Sequence, residues 1–198
     1  FRPSDVMCLI TPDRFANGDP KNDKIRGYNN MELDREDGYA RHGGDLQGII
    51  DRLDYIQELG ITSLWLNPVL EANEFKEPYH GYAISDHYAI DPHYGDLDLY
   101  GALVDEMHGR GMTMVMDVVY NHFGSQHYLV LDPPADDWIH QWPVFTKSNF
   151  RAPTLLDPHA AASEQKKFNE GWFDDHMPDM NYDNPHLATY MIQNTLWW

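Results

Sequence analysis

Thr113 to Val118 (TMVMDV) is the stretch that most constrains the fold, an apolar and β-branched run with a carboxylate near its end. Such a run reads as a strand buried on both faces, the pattern of a parallel sheet in an α/β protein. A bare carboxylate is costly to desolvate unless it sits at the wet rim of the sheet. Asp117, with Asn121 and His122 just after it, therefore reads as polar groups delivered to a strand's C-terminal end, where α/β barrels keep their chemistry. A strand-end turn in which Asp and Asn act as local caps is the other reading of these residues.

Val6 to Ile10 (VMCLI) and Ile61 to Leu66 (ITSLWL) are two more short apolar runs. Between them Leu46, Ile49, Ile50, Leu53, Ile56 and Leu59 recur at helical spacing, with Asp45 placed as N-cap and Gly60 just past the C-cap. Leu99, Leu103, Val104 and Met107 repeat the pattern ahead of Arg110-Gly111. The alternation predicts a parallel βαβ series but leaves open whether the sheet closes. Long polar stretches follow the first and third strands, the latter running from Tyr120 to Asn184 and rich in Pro, Asp, His and Trp. Loops beyond about 15 residues are uncommon unless they are functional or form a small subdomain, which favours a barrel enzyme. From Pro185, PHLATYMIQNTLWW predicts a helix with Pro in its first turn.

The expected architecture is α/β, the first three β/α units of a (β/α)8 barrel with a long loop subdomain after strand 3. Residues 1–118 would hold three strands and two helices, 119–184 the long loop or small subdomain, and 185–198 the start of the next helix. A full barrel takes about 250 residues or more, so the chain is expected to be a front portion that stops before strand 4. Three strands leave an apolar edge with unpaired backbone, and the isolated chain is not expected to fold stably.

The formal net charge is −18, with 32 acidic residues against 14 basic ones, which disfavours binding to a phosphate backbone. No apolar run approaches the roughly 18 residues that a membrane span needs. Cys8 is the single cysteine, expected as a small core residue, and excludes an internal disulfide. No signal peptide is visible, which a processed chain would also lack, so the sequence leaves the compartment open, with a periplasmic or extracellular setting favoured over a cytoplasmic one. Aromatic residues fall in loops at Tyr79, Tyr82, Trp138, Trp142, Trp172 and Phe173. Acidic loops with aromatic platforms suit a neutral polyhydroxyl ligand, and ordinary loop packing is the alternative for each ring.

The first long loop carries a second cluster. Asn17, Asp19, Asn22 and Asp23 place four oxygen-bearing side chains within seven residues, and Gly43-Gly44-Asp45 lies further on. Calcium takes six to eight oxygens from carboxylates, amides and carbonyls, and these four with Asp45 and the Gly43 carbonyl can supply them. A solvated Asx-rich turn is the alternative. The spacing is not that of an EF-hand, since Tyr28 stands where a bidentate Glu would be needed. The eleven His form no HExxH pattern and no short pairing with Cys, which argues against zinc.

Four segments together resemble glycoside hydrolase family 13, the α-amylase family, and within it the bacterial cyclomaltodextrinases and neopullulanases. Asp117 to His122 (DVVYNH) is similar to the family's third-strand motif, and Gly60 to Pro68 (GITSLWLNP) to its second strand. Met177 to Asn181 (MPDMN) resembles a motif late in the third loop, with Met180 in place of the usual Leu. Leu9 to Asp23 with Arg41 to Asp45 resembles the first-loop calcium region of the cyclomaltodextrinase-like branch. The similarity runs through nearly the whole chain in order.

The resemblance implies that Asp117 and His122 line sugar subsite −1, with His122 bonding a glucose hydroxyl. It implies Tyr82 as the stacking platform beneath that sugar with His80 close by, and Asn17, Asp19, Asn22, Asp23, Gly43 and Asp45 as calcium ligands. Asn121 corresponds to a ligand of a different calcium that this branch generally lacks. The family's nucleophile, acid/base and stabilising carboxylates follow strands four, five and seven, so no catalytic residue is expected within this chain and all are expected beyond Trp198. Retaining hydrolysis needs a nucleophile and an acid about 5 Å apart, and Asp117 is not assigned to either role. The implied activity is retaining hydrolysis of α-1,4-glucosidic bonds in cyclomaltodextrins or maltooligosaccharides by the complete protein, with no turnover by this chain alone. A glucanotransferase and a non-catalytic glucan-binding homologue are the rival expectations; the sequence does not fix the oligomeric state.

Overall fold

The apolar runs near positions 6, 61 and 113 do form strands, and the segments between them form helices. The computed structural model describes residues 2–29 and 32–198. They divide into two units, Phe1–Val118 and Val119–Trp198. In chain order the first unit runs β1 (Met7–Ile10), α1 (Pro12–Phe15), α2 (Leu46–Ile50), α3 (Leu53–Glu58), β2 (Ser63–Leu66), β3 (Leu70–Glu71), β4 (Asp86–Ile90), α4 (Leu97–Gly109) and β5 (Thr113–Met116).

β1, β2 and β5 form one parallel sheet with β2 in the middle. Its register sets Trp65 beside Leu9 on one strand and Val115 on the other. Leu64 and Leu66 of β2 are buried, together with Leu46, Ile49, Leu53 and Ile56 of α2 and α3 and with Leu103 and Met107 of α4. These side chains are the apolar stripes read from the sequence, turned onto one face of the sheet. β5 itself departs from expectation: none of its residues is fully buried, and Val118 beyond it is exposed. Met7 and Leu9 of β1 are exposed and Cys8 is partly covered by the described residues. Among the described residues β1 and β5 each have one strand neighbour in this sheet while β2 has two.

The single helix expected from Leu46 to Leu59 is broken in two. Arg52 takes φ −114°, ψ 9° between α2 and α3. Gly48 and the β-branched pair Ile49-Ile50 are weak helix formers, which lets the chain bend here at little cost. Gly48 has a second reason to be glycine, since a Cβ on it would collide with the Ala16 carbonyl. The first loop is thereby laid directly on α2. Asp45 and Asp96 cap α2 and α4, accepting from Gly48 N at 2.6 Å and Leu99 N at 2.8 Å. β3 and β4 pair as a short antiparallel ribbon that the sequence did not announce.

The second unit contains α5 (Tyr128–Leu131), α6 (Ala162–Glu170) and α7 (Pro185–Trp197). Its core is Phe123, Leu129, Trp138, Ile139, Met180, Leu187 and Met191. Two isolated antiparallel bridges, His122 to Asp179 and Ile139 to Met180, tie the start of the long segment to its end. α7 begins at Pro185 behind an Asn184 cap and buries Leu187, Met191 and Asn194, one helical stripe. The long segment is thus a packed substructure with its own core.

Candidate functional site

Asp117 is the first residue past β5, and its carboxylate is gripped from two sides. Trp65 Nε1 donates to Asp117 Oδ2 at 2.9 Å, and the Tyr82 hydroxyl donates to the same oxygen at 3.0 Å. Parallel pairing produces the first contact, because β2 and β5 are in register through Trp65 and Val115 and both side chains emerge on one face. Tyr82 comes from the loop between β3 and β4. Its backbone N–H donates to His80 Nδ1 at 2.9 Å, and the two rings lie 5.8 Å apart. That acceptor role leaves the neutral His80 proton on Nε2. Gly81 joins them at φ +80°, and a Cβ there would run into the Pro68 carbonyl, so only glycine serves. Burial and the Asp117 carboxylate push the Tyr82 hydroxyl up to about 12, which keeps it a donor across the working pH range. No partner is found for Asp117 Oδ1 among the described residues, and that oxygen remains available as an acceptor for an incoming hydroxyl.

His122 lies in the second unit and is buried. Its ring stacks on Phe173, with centroids 5.0 Å apart and planes at 27°. Asn121 Nδ2 is 3.2 Å from His122 Nδ1. Opposite His122 in the bridge stands Asp179, whose Oδ2 is 2.7 Å from His140 Nδ1. Desolvation pushes the Asp179 carboxyl up to about 6 against the opposing hydrogen bond and charge of His140. The folded protein then keeps a proton that the unfolded chain gives up, so this carboxyl supports the fold at about pH 4 and the support is lost as pH rises through about 6. Asp179→Asn removes that loss, so the Tm difference between variant and wild type should move in the variant's favour from pH 4 to 6. A difference that stays constant across the window would contradict this assignment.

The acidic loop after β1 closes around Asp45. Asp45 Oδ1 accepts from Gly18 N (3.0 Å) and Gly48 N (2.6 Å), while Oδ2 accepts from Asp19 N (2.8 Å) and Asn22 Nδ2 (3.1 Å). Four N–H donors converge on this carboxylate, which caps α2 and anchors the loop. Asn17 Nδ2 donates to Asp23 Oδ1 at 2.7 Å. Gly43, at φ +82°, passes so close that a Cβ would lie 2.7 Å from Asp23 Oδ1 and 2.8 Å from Asn17 Nδ2. Desolvation, with Asp45 and Asp13 nearby, holds the Asp23 carboxyl above its ordinary value despite the Asn17 hydrogen bond. Asn17 Oδ1 and Asn22 Oδ1 are buried with no hydrogen-bond partner. Two orphaned amide oxygens beside acidic groups that repel one another form a donor set suited to a hard cation.

The remaining loop rings serve packing. Trp138 is in the core of the second unit, and Trp172 and Trp142 donate to the carbonyls of His140 and Glu170. Tyr79 lies beneath Arg14, whose guanidinium carbon is 3.9 Å from the ring centroid. Trp65 and the Asp179–His140 pair were not singled out from sequence. Trp65 hides inside an apolar strand, whereas MPDMN did mark the neighbourhood of Asp179. Asp174, Asp175 and His176 also bring ligand atoms within 4.8 Å of one another, but the Lys147 ammonium already sits 3.3 Å from Asp174.

Residues 9–198 match the model of the α-amylase catalytic domain. Neopullulanase 2 of Thermoactinomyces vulgaris is 35% identical over 207 residues, covering 98% of this chain and 31% of that protein. A cyclomaltodextrinase of Thermoanaerobacter pseudethanolicus is 32% identical, with 98% of this chain and 32% of that protein covered. The chain therefore spans about a third of the length of these relatives. Among solved structures, an Anoxybacillus α-amylase superimposes with TM-score 0.80 at 39% identity, covering 98% of this chain and 38% of that one. An α-amylase of Geobacillus thermoleovorans complexed with acarbose gives TM-score 0.75 at 33% identity over 98% of this chain and 37% of that one. With this match along nearly its whole length, the chain belongs to the α-amylase family, glycoside hydrolase family 13, and its three parallel strands are part of that family's (β/α)8 catalytic barrel.

Proposed function

We propose that this chain contributes sugar-binding residues to an α-glucan-active glycoside hydrolase that cleaves α-1,4-glucosidic bonds with retention, acting on cyclomaltodextrins or maltooligosaccharides. The observation that carries this is the Asp117 carboxylate at the C-terminal end of β5, with one oxygen fixed by Trp65 and Tyr82 and the other left to a ligand. In this role Asp117 accepts from a sugar hydroxyl, the Tyr82 ring lies under a pyranose, and His80 orients Tyr82 through its backbone N–H. His122, in the second unit, donates to or accepts from a sugar hydroxyl, its plane set by Phe173. A clamped carboxylate that already takes two hydrogen bonds on one oxygen is suited to orienting substrate rather than to attacking it. Nucleophile and acid are assigned to other residues of the complete enzyme, and this chain alone is expected to show no turnover. A periplasmic or extracellular setting belongs to the same proposal.

Calcium is proposed at the first loop, held by Asn17, Asp19, Asn22, Asp23, Asp45 and the Gly43 carbonyl, with Asp45 also holding the loop through its N–H contacts. When bound it neutralises the mutual repulsion of the acidic groups; it takes no part in bond cleavage. The test of the reading is product analysis of the complete protein on linear, branched and cyclic α-glucans, with and without a sugar acceptor. Hydrolysis products that are insensitive to acceptor are expected. Products longer than the substrate would identify a glucanotransferase instead, and sugar binding without any product would leave a binding protein.

A further inference from the structure

Phe150 is an aromatic residue held at φ +53°, in the left-handed region that bulky side chains avoid. The strain persists because the surrounding loop determines it. Phe150 N donates to Ser148 Oγ at 3.2 Å, and Arg151 N donates to Asn149 Oδ1 at 2.9 Å. Asn149 Nδ2 in turn donates to the Glu164 carbonyl at 2.9 Å and to its carboxylate at 3.0 Å. Ser148 N donates to the Trp172 carbonyl at 2.9 Å, so the loop lies alongside Trp172-Phe173.

Among the described residues this fixed geometry leaves a ring in the open. Phe150 is 53% exposed and Phe173 44%, and the two meet edge to face at 5.3 Å. Phe173 presses its other contact on His122. A strained backbone that buried an aromatic ring would be repaid by packing; one that displays it to solvent is not. The arrangement makes sense if the exposed ring faces are completed by a ligand with apolar C–H faces and a polar rim.

The geometry points to Phe150 and Phe173 as an aromatic platform that stacks a second pyranose ring of the glucan, beyond the sugar at His122. The platform deepens the function proposed above and rests on it. It would make the enzyme favour substrates that carry a second pyranose over a substrate with a single sugar, since the Phe150 ring lies only one ring contact beyond Phe173, which stacks on His122.

The test is the ratio of kcat/KM for maltotriose to that for α-glucosyl fluoride, a single sugar with no second ring, measured on the complete enzyme. Phe150→Gly should lower this ratio about tenfold by removing the ring. Glycine is at ease at φ +53°, so the same variant should melt no lower than wild type. Phe150→Trp should keep or raise the ratio. An unchanged ratio in Phe150→Gly, or an equal fall on both substrates, would overturn the platform while leaving the glucan reading intact. A wild-type enzyme that acts on neither sugar would overturn that reading and the platform with it.

Discussion

Asp117→Asn should lower kcat/KM on maltoheptaose about 100-fold in the complete enzyme with little change in Tm. The substitution preserves size but has no orientation that keeps a charged acceptor for the sugar hydroxyl while accepting from Trp65 and Tyr82. With the amide nitrogen at Oδ2, the Trp65 N–H faces a donor, and indole can only donate. With the nitrogen at Oδ1, the atom that would receive the sugar hydroxyl becomes a donor. A lost hydrogen bond to a charged group is worth about 1.5–3 kcal/mol, which spans tenfold to somewhat above a hundredfold. Tyr82→Phe and Trp65→Phe each remove one of the two donors and should fall short of the Asn variant. Steady-state kinetics with thermal melts on the three proteins would decide this. An Asn variant within twofold of wild type would remove Asp117 from the site.

Chelation should lower the Tm of the calcium-loaded complete protein by up to about 5 °C. A cation present at 100 times its Kd stabilises by about 2.7 kcal/mol, and a domain of about 150–250 residues moves about 2–4 °C per kcal/mol, a larger one less. Asp19→Ala combined with Asp23→Ala should abolish the response. The Asp23 carboxyl adds a sign that a solvated turn would not show. Desolvation and its acidic neighbours hold it above the ordinary carboxylate range, so without calcium its ionised form weighs against the fold. Asp23→Asn should therefore melt no lower than wild type in chelator and clearly lower in calcium. An unchanged Tm on chelation, in protein first shown to contain calcium, would refute the site.

The parts of the fold visible in the sequence were those with a strong period. The apolar runs near positions 6, 61 and 113 became β1, β2 and β5 with ends shifted by one or two residues, and the Leu99–Met107 stripe became α4. Asp45, Pro185 and Gly60 were placed correctly because cap chemistry is local. The ribbon of β3 and β4 was missed because Leu70-Glu71 is too short to show an alternation, and its pairing is made across the loop that carries Tyr82. The interruption at Arg52 was missed because apolar spacing survives a one-residue change in ψ.

At the site, sequence supplied Asp117, Tyr82, His80 and His122 as residue types in meaningful places. It could not supply the contact that fixes Asp117, since Trp65 reaches it through strand register, a relation between residues 52 apart. Nor could it reveal that Trp138, Trp142 and Trp172 are taken up by packing while Phe150 is left displayed. Composition counts rings, and only the fold decides which of them face water.

The most direct test of the central claim is time-resolved proton NMR of the first sugar released from maltoheptaose by the complete protein. A retaining α-glucan hydrolase must release the α-anomer first, with the β-anomer growing in only by mutarotation. Initial release of the β-anomer, or no release at all from any α-1,4-linked glucan, would contradict the account.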